Sequence, residues 1–242
     1  MPATICFLFA LFLSIPVQAR DRSGVAPNSE FPWQHWRQVG KPEELGWSTE
    51  KLAAAKAYAD SMDTAAVMII DDGVVVSQWG ETTKRYKCHS VRKSFLSALY
   101  GVAVARKEIN LSATLGQLGI DDNWDFNALG TIYESATHDS IYHSFDERIA
   151  RRIGMEDYVF KDQEYITGPD SIHRAYPFRM TARDMARFGL LYLREGRWRD
   201  QQIIPNSWVR ESTTAYSVAD GNTRDGYSGY GYLWWVAVNG NH

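Results

Sequence analysis

Cysteine is almost missing from this chain: two occur in 242 residues, and Cys6 lies in an apolar N-terminal run, which leaves Cys88 alone downstream. A single thiol excludes an internal disulfide. It is either a nucleophile or, as is commoner, a small buried hydrophobe. A surplus of positive charge is also lacking, with 26 Lys and Arg against 29 Asp and Glu and a formal net charge of -3. Without that surplus the chain cannot neutralise a phosphate backbone, so nucleic acid is excluded as a partner. The apolar run from Ile5 to Val17 is too short to span a bilayer, and no other stretch approaches that length. No repeat or low-complexity tract is present. Among the six histidines, His138 and His143 in "HDSIYH" lack the one-turn spacing of a metal-binding helix, and no Cys or carboxylate cluster completes a site. No metal or cofactor is expected.

What is present at the N-terminus, "MPATICFLFALFLSIPVQARD", reads as a secretory signal with small-residue spacing at Val17-Gln18-Ala19, cleaved after Ala19. It departs from the usual form because no Lys or Arg precedes the apolar run; the alternative is a buried or interfacial helix. Residues 1–19 are therefore expected to be a signal and residues 20–242 one domain, located in the periplasm or secreted. The chain is 45% hydrophobic, enough for a sizeable core.

"STEKLAAAKAYADSM" predicts a first helix, with Ser48 as its N-cap and Leu52, Ala55 and Tyr58 on one face. "AAVMIIDDGVVVSQWGE" predicts an antiparallel hairpin turning at Asp72-Gly73. The run from Ser90 to Ile109 reads as a helix apolar on most sides, hence buried. Leu111 to Asp122 reads as loop, and one or two helices follow, ending near Gly154. "MTARDMARFGLLYLREGRW" opens with Thr181 and Asp184 in capping-box spacing, and places Met185, Phe188 and Tyr192 at helical intervals. "YSGYGYLWWVAV" alternates aromatics in the manner of a strand. This order suits an α+β fold, one antiparallel sheet with helices around it.

"CHSVRKSFLSALYG" raises the functional question. A serine hydroxyl is nearly inert until a neighbour accepts its proton, and Lys93 lies one helical turn from Ser90, on the same face. The lysine can accept only when neutral, which requires burial or a nearby positive charge. A helix start at Ser90 would also aim backbone N–H groups at a developing oxyanion. Spacing alone decides little, since "STEK" (Ser48 to Lys51) matches the same S-x-x-K pattern and is better explained as a cap. On the residues alone, Ser90 is either a nucleophile or a cap beside a snorkelling lysine. His89 is adjacent but points in a different direction, which disfavours it as a base. Tyr176 and Arg179 in "AYPFRM" line a cleft or simply precede a capped helix. The aromatic "SGYGYLWW" is packing or a carbohydrate-stacking platform, and "ERIARR" reads as a solvated helix end.

Together, "HSVRKSFLSALYGVAV", "NWDFNALGTIYE", "IARRIGMEDY", "PFRMTARDMARFGLLYLREGRW" and "GYGYLWWV" resemble the serine β-lactamase-related family, which includes class C β-lactamases, penicillin-binding proteins, related esterases and 6-aminohexanoate-dimer-type hydrolases. The resemblance implies an antiparallel sheet flanked by helices with a helical subdomain. It implies acyl transfer on a small-molecule amide or ester, in which Ser90 attacks a carbonyl, Lys93 helps remove the serine proton and water releases the acyl group. Asn123 matches the asparagine of the family's Tyr-x-Asn motif and would bind substrate.

Two departures follow. Asp121 occupies the tyrosine position, in a loop shorter than in relatives. The late Lys/His-Thr/Ser-Gly strand is missing before the chain reaches "NGNH", and terminal His242 is a poor substitute. A missing donor costs on the order of a hundredfold in rate. The expectation is a hydrolase-family chain that is weakly active or inactive, lacking an internal segment and C-terminal strands. The alternative is a non-catalytic binder of peptidoglycan-like or penicillin-like ligands.

Overall fold

The computed structural model describes residues 30–120, 125–218 and 229–237. The expected signal (1–19), Asp121, Asn123 and His242 lie outside these residues. Helices are α1 (Thr49–Ser61), α2 (Arg92–Ala105), α3 (Ala128–Thr137), α4 (Ile141–Phe145), α5 (Ala182–Leu193) and α6 (Asn206–Ser212). Strands are β1 (Ala66–Asp71), β2 (Val74–Gly80), β3 (Tyr86–Cys88), β4 (Ile166–Gly168), β5 (Ser171–Ala175), β6 (Phe178–Met180), β7 (Arg197–Trp198), β8 (Gln201–Gln202), β9 (Ser217–Val218), β10 (Gly229–Tyr230) and β11 (Trp235–Val236).

The class is α+β, as the element order predicted. The antiparallel strands form separate small sheets among the described residues: β1–β2, β3–β6, β4–β5, β7–β8 and β9–β10–β11. Most of these strands are two or three residues long, which leaves too few ladder bonds to extend a continuous sheet. Among the described residues only the β1–β2 hairpin is long. It turns at Asp72 and Gly73 with φ of 48° and 87°, the doubly left-handed geometry that Asp-Gly favours. The preceding chain covers the free edge of β2, where Val75 N donates to Arg37 O at 2.9 Å and Val39 N to Val75 O at 3.0 Å.

α1 begins as expected, with Ser48 Oγ accepting from Lys51 N at 3.2 Å. Its buried stripe runs through Leu52 and Ala59, whereas Tyr58 points to solvent. α2 begins at Arg92 rather than Ser90 and supplies the core: Phe95, Leu96, Ala98 and Leu99 are essentially inaccessible. Phe95 meets Phe178 at 5.1 Å and Phe188 at 4.8 Å between ring centroids, both edge-on, an arrangement favoured by aromatic quadrupoles. Gly130 lets α3 approach this core, because a Cβ there would lie 2.9 Å from Tyr176 Cδ1 and 3.0 Å from Ile141 Cδ1. The expected strand through "YSGYGYLWWVAV" is instead the β10–β11 hairpin. Gly231 breaks the run, with N–H donating to Trp234 O at 2.8 Å and the backbone pressed on the Ser212 carbonyl too closely to admit a side chain.

The α5 capping box is only half realised. Thr181 Oγ1 accepts from Asp184 N at 3.2 Å, but the Asp184 carboxylate turns away to accept from Glu156 N at 2.7 Å and Asp157 N at 3.1 Å. One turn on, the fully buried Arg187 donates to the carbonyls of Trp33 (3.2 Å), Gln34 (3.1 Å) and Ile153 (3.1 Å) and to Glu156 Oε1 (2.8 Å). It thereby ties the N-terminal strap to α5. Burial opposes ionisation of Glu156, but hydrogen bonds from Arg187 and His35 hold its carboxyl below the usual range.

Arg187→Met removes one of the partners of the buried Glu156, leaving His35 and Arg183, and strips the donor from the Trp33, Gln34 and Ile153 carbonyls; it is expected to destabilise the fold by about 2–4 kcal/mol, read from urea unfolding. Burial pushes the Asp184 carboxyl up to about 6. Between its unfolded value and about 6 the folded chain binds this proton more readily than the unfolded chain, so through this group stability falls as pH rises across that window. The stability difference between wild type and Asp184→Asn should therefore widen in favour of wild type as pH is lowered from 7 to 4. An unchanged difference refutes the assignment.

Candidate active site

The turn carrying Ser90 is held from both sides. β3 pairs with β6 in the register Tyr86↔Met180, Lys87↔Arg179 and Cys88↔Phe178, and α2 enters the core directly after the turn. Arg92, Lys93 and Ser94 N–H donate to the carbonyls of His89 (3.2 Å), Ser90 (3.0 Å) and Val91 (3.1 Å). These three amides are thus consumed by the turn, which leaves the N–H groups of Ser90 and Val91 as the turn's own candidate donors to an oxyanion. This corrects the expectation that a helix start at Ser90 presents its first-turn amides outward. Ser90 itself is exposed.

Lys93 is half-buried one turn on. Its Nζ sits 4.1 Å from the centroid of the Phe126 ring. Burial first, and the adjacent Arg92 charge second, push the amine below the usual lysine range. The ring face favours the ammonium while its bulk removes water, and the net direction is towards the neutral amine. Among the described residues, no hydrogen bond joins Lys93 Nζ to Ser90 Oγ. Asn123, the third expected site residue, lies outside the described residues.

Arg92, Phe126 and Asn127 were not singled out from the sequence. Arg92 Nη2 donates to Asn127 Oδ1 at 2.9 Å and Nη1 to His89 O at 3.2 Å, and its guanidinium lies 4.8 Å from the Tyr176 ring centroid. Asp125 Oδ1 holds the loop by accepting from Asn127 N at 2.5 Å and Ala128 N at 3.1 Å. On the other side, Ser94 Oγ donates to Leu233 O at 3.2 Å, which brings the β10–β11 turn against the start of α2. The only signal for these neighbours was that "NWDFNALG" stood among the family-like stretches.

Other candidates resolve structurally. Cys88 is buried, its Sγ 3.7 Å from Tyr86 O. Tyr176 is also buried and donates to Phe126 O at 3.2 Å, while Arg179 faces Glu164 at 3.5 Å. His143 hydrogen-bonds with Asp139 at 2.8 Å. In "ERIARR", Arg151 is solvated, but Arg148 is half-buried and paired with Glu108 at 2.6 Å. Two open depressions exist elsewhere, one beside Glu134, His173 and Arg174, the other beside Arg85, Gln163 and Arg179. Neither includes Ser90 or Lys93.

No curated protein matches the chain. Solved structures do: an octameric penicillin-binding protein homologue from Pyrococcus abyssi is 15% identical with a TM-score of 0.57, over 77% of this chain and 64% of that one. A Bacillus anthracis protein assigned as a 6-aminohexanoate-dimer hydrolase is 20% identical with a TM-score of 0.56, over 76% and 68% of the two chains. A Bacteroides dorei protein assigned as a β-lactamase is 15% identical with a TM-score of 0.55, over 77% and 78%. The chain thus spans 64% of the length of the archaeal homologue, and at these identities the likeness speaks to fold. The profile of the family described as Beta-lactamase matches residues 122–242, half of the chain. With that match, and with the fold shared by these structures, the chain belongs to the β-lactamase family.

Proposed function

We propose that this chain is a serine hydrolase acting on a small amide or ester through an acyl-enzyme on Ser90, with Lys93 as the group that takes the serine proton. The observation that carries this reading is the pairing of an exposed serine turn with a lysine one turn away that burial and a like charge bias towards its neutral form. The Ser90 oxygen attacks the carbonyl, its proton passes to the lysine amine, and the leaving group departs with a proton returned from it. Water then cleaves the ester. The open position of Ser90 permits approach of a substrate carbonyl, and the N–H of Ser90 or Val91 supplies a donor for the oxyanion. Asn123 is assigned to substrate binding by its match to the family motif. As part of the same reading, residues 1–19 are a signal that delivers residues 20–242 to the periplasm or exterior.

A fluorophosphonate probe followed by mass spectrometry tests the assignment. One label per chain on Ser90 is expected, with none in Ser90→Ala, and Lys93→Ala should slow labelling by about a hundredfold or more. Labelling that persists in Ser90→Ala, or a wild-type chain unlabelled from pH 6 to 10, rejects it. Release of p-nitrophenol from p-nitrophenyl acetate separates hydrolase from binder: repeated turnover supports the hydrolase, whereas a single stoichiometric burst identifies a chain that captures acyl groups and holds them.

A further inference from the structure

The acyl-transfer reading assigns no role to the arginine that immediately precedes Lys93. Arg92 is half-buried, yet among the described residues it pairs with no carboxylate, and its Nε is buried without an acceptor. Partial withdrawal of a guanidinium from water without a carboxylate partner among the described residues is unfavourable in itself, and the hydrogen bonds and ring contact it makes offset that cost. Two of its remaining donors bridge two segments of the chain: Nη1 reaches the His89 carbonyl at 3.2 Å, on the serine turn, and Nη2 reaches the Asn127 side chain at Oδ1, 2.9 Å away, on the loop that carries Phe126. The planar group rests against the Tyr176 ring, 4.8 Å from its centroid, and the Tyr176 hydroxyl donates to Phe126 O at 3.2 Å. Two routes thus lead from one guanidinium to the same loop.

We propose that Arg92 is a positioning residue for Lys93: it clasps the serine turn to the 125–127 loop, so that Phe126 covers the amine while the guanidinium charge stands beside it. The proposal deepens the acyl-transfer reading and rests on it. Among the described residues, the other titratable groups on the elements around Lys93 include His89 in the turn, Tyr86 and Cys88 on β3, Tyr100 on α2, Asp125 in the loop, Tyr176 ahead of β6 and Tyr230 on β10. The Asp125 carboxylate is engaged by Asn127 N and Ala128 N, and burial raises the phenols of Tyr176 and Tyr230. After burial, Arg92 is the group that biases the lysine towards its neutral form.

Competitive acetylation of the full chain with trace acetic anhydride, followed by peptide mass spectrometry across pH, reads the Lys93 titration midpoint directly. In Arg92→Met the midpoint should rise by about 0.5 unit or more, the effect of removing a like charge in a partly solvated setting. Arg92→Lys keeps a charge without the two-pronged clasp and should rise less. Asn127→Ala, which loosens the loop while leaving Arg92 in place, should also move the midpoint upward, and it stands in if Arg92→Met does not fold. Midpoints unchanged in folded variants overturn the proposal. Fluorophosphonate labelling run in parallel separates the two failures. Ser90 labelled with a pH profile indifferent to Arg92→Met removes Arg92 from the site and leaves the hydrolase reading intact. A shifted Lys93 in a chain never labelled at Ser90 upholds the clasp and overturns acyl transfer.

Discussion

Three residues of antiparallel pairing, β3 against β6, fix where everything else in the site stands. Cys88 is the last residue of β3, and its partner Phe178 also packs against Phe95, Phe145 and Tyr142. The same side chain therefore sets the height of the strand and anchors the helix that follows the serine turn. Because Thr181 caps α5 immediately after β6, the turn, the buried helix and α5 are all tied to this one strand pair. A serine in such a turn is exposed because the strand before it is pinned and the helix after it must descend into the core.

The lysine is subject to opposed effects. An aromatic face stabilises an ammonium by about 0.5–2 kcal/mol, which on its own would keep the amine charged. Partial burial, the adjacent guanidinium and the positive end of the α2 dipole all work against the charge. Desolvation leads, and the net bias is towards a base. Lys93 is the second residue of α2, so the location that places it within a turn of Ser90 also makes it easier to deprotonate.

Much of this was legible in the chain. Asp72-Gly73 specified its turn because few residues tolerate two successive left-handed conformations, and Ser48 and Thr181 specified helix starts because their hydroxyls satisfy otherwise orphaned amides. The α+β class was visible through element order, whereas spacing alone did not separate Ser90 and Lys93 from Ser48 and Lys51, and only the family-like stretches around them singled out the first pair. The breakup of the sheet was not, since pairings such as β3–β6 join residues far apart in sequence and leave no periodic mark. Nor could the sequence separate Thr181–Asp184 as a reciprocal box from the arrangement found, in which Asp184 serves the 156–157 backbone instead. Arg92 was not singled out at all. Its role depends on Asn127 and Tyr176, which only the tertiary fold brings near.

Arg187 fastens the N-terminal strap through main-chain carbonyls of residues 32–34. Every amino acid carries that oxygen, so the fastening recognises the path of the chain and is blind to which residues follow it. The grip therefore survives a change of side chain at position 34, which is turned to solvent, whereas at position 33 the indole is held separately by the Arg199 guanidinium, 3.6 Å from its ring centroid.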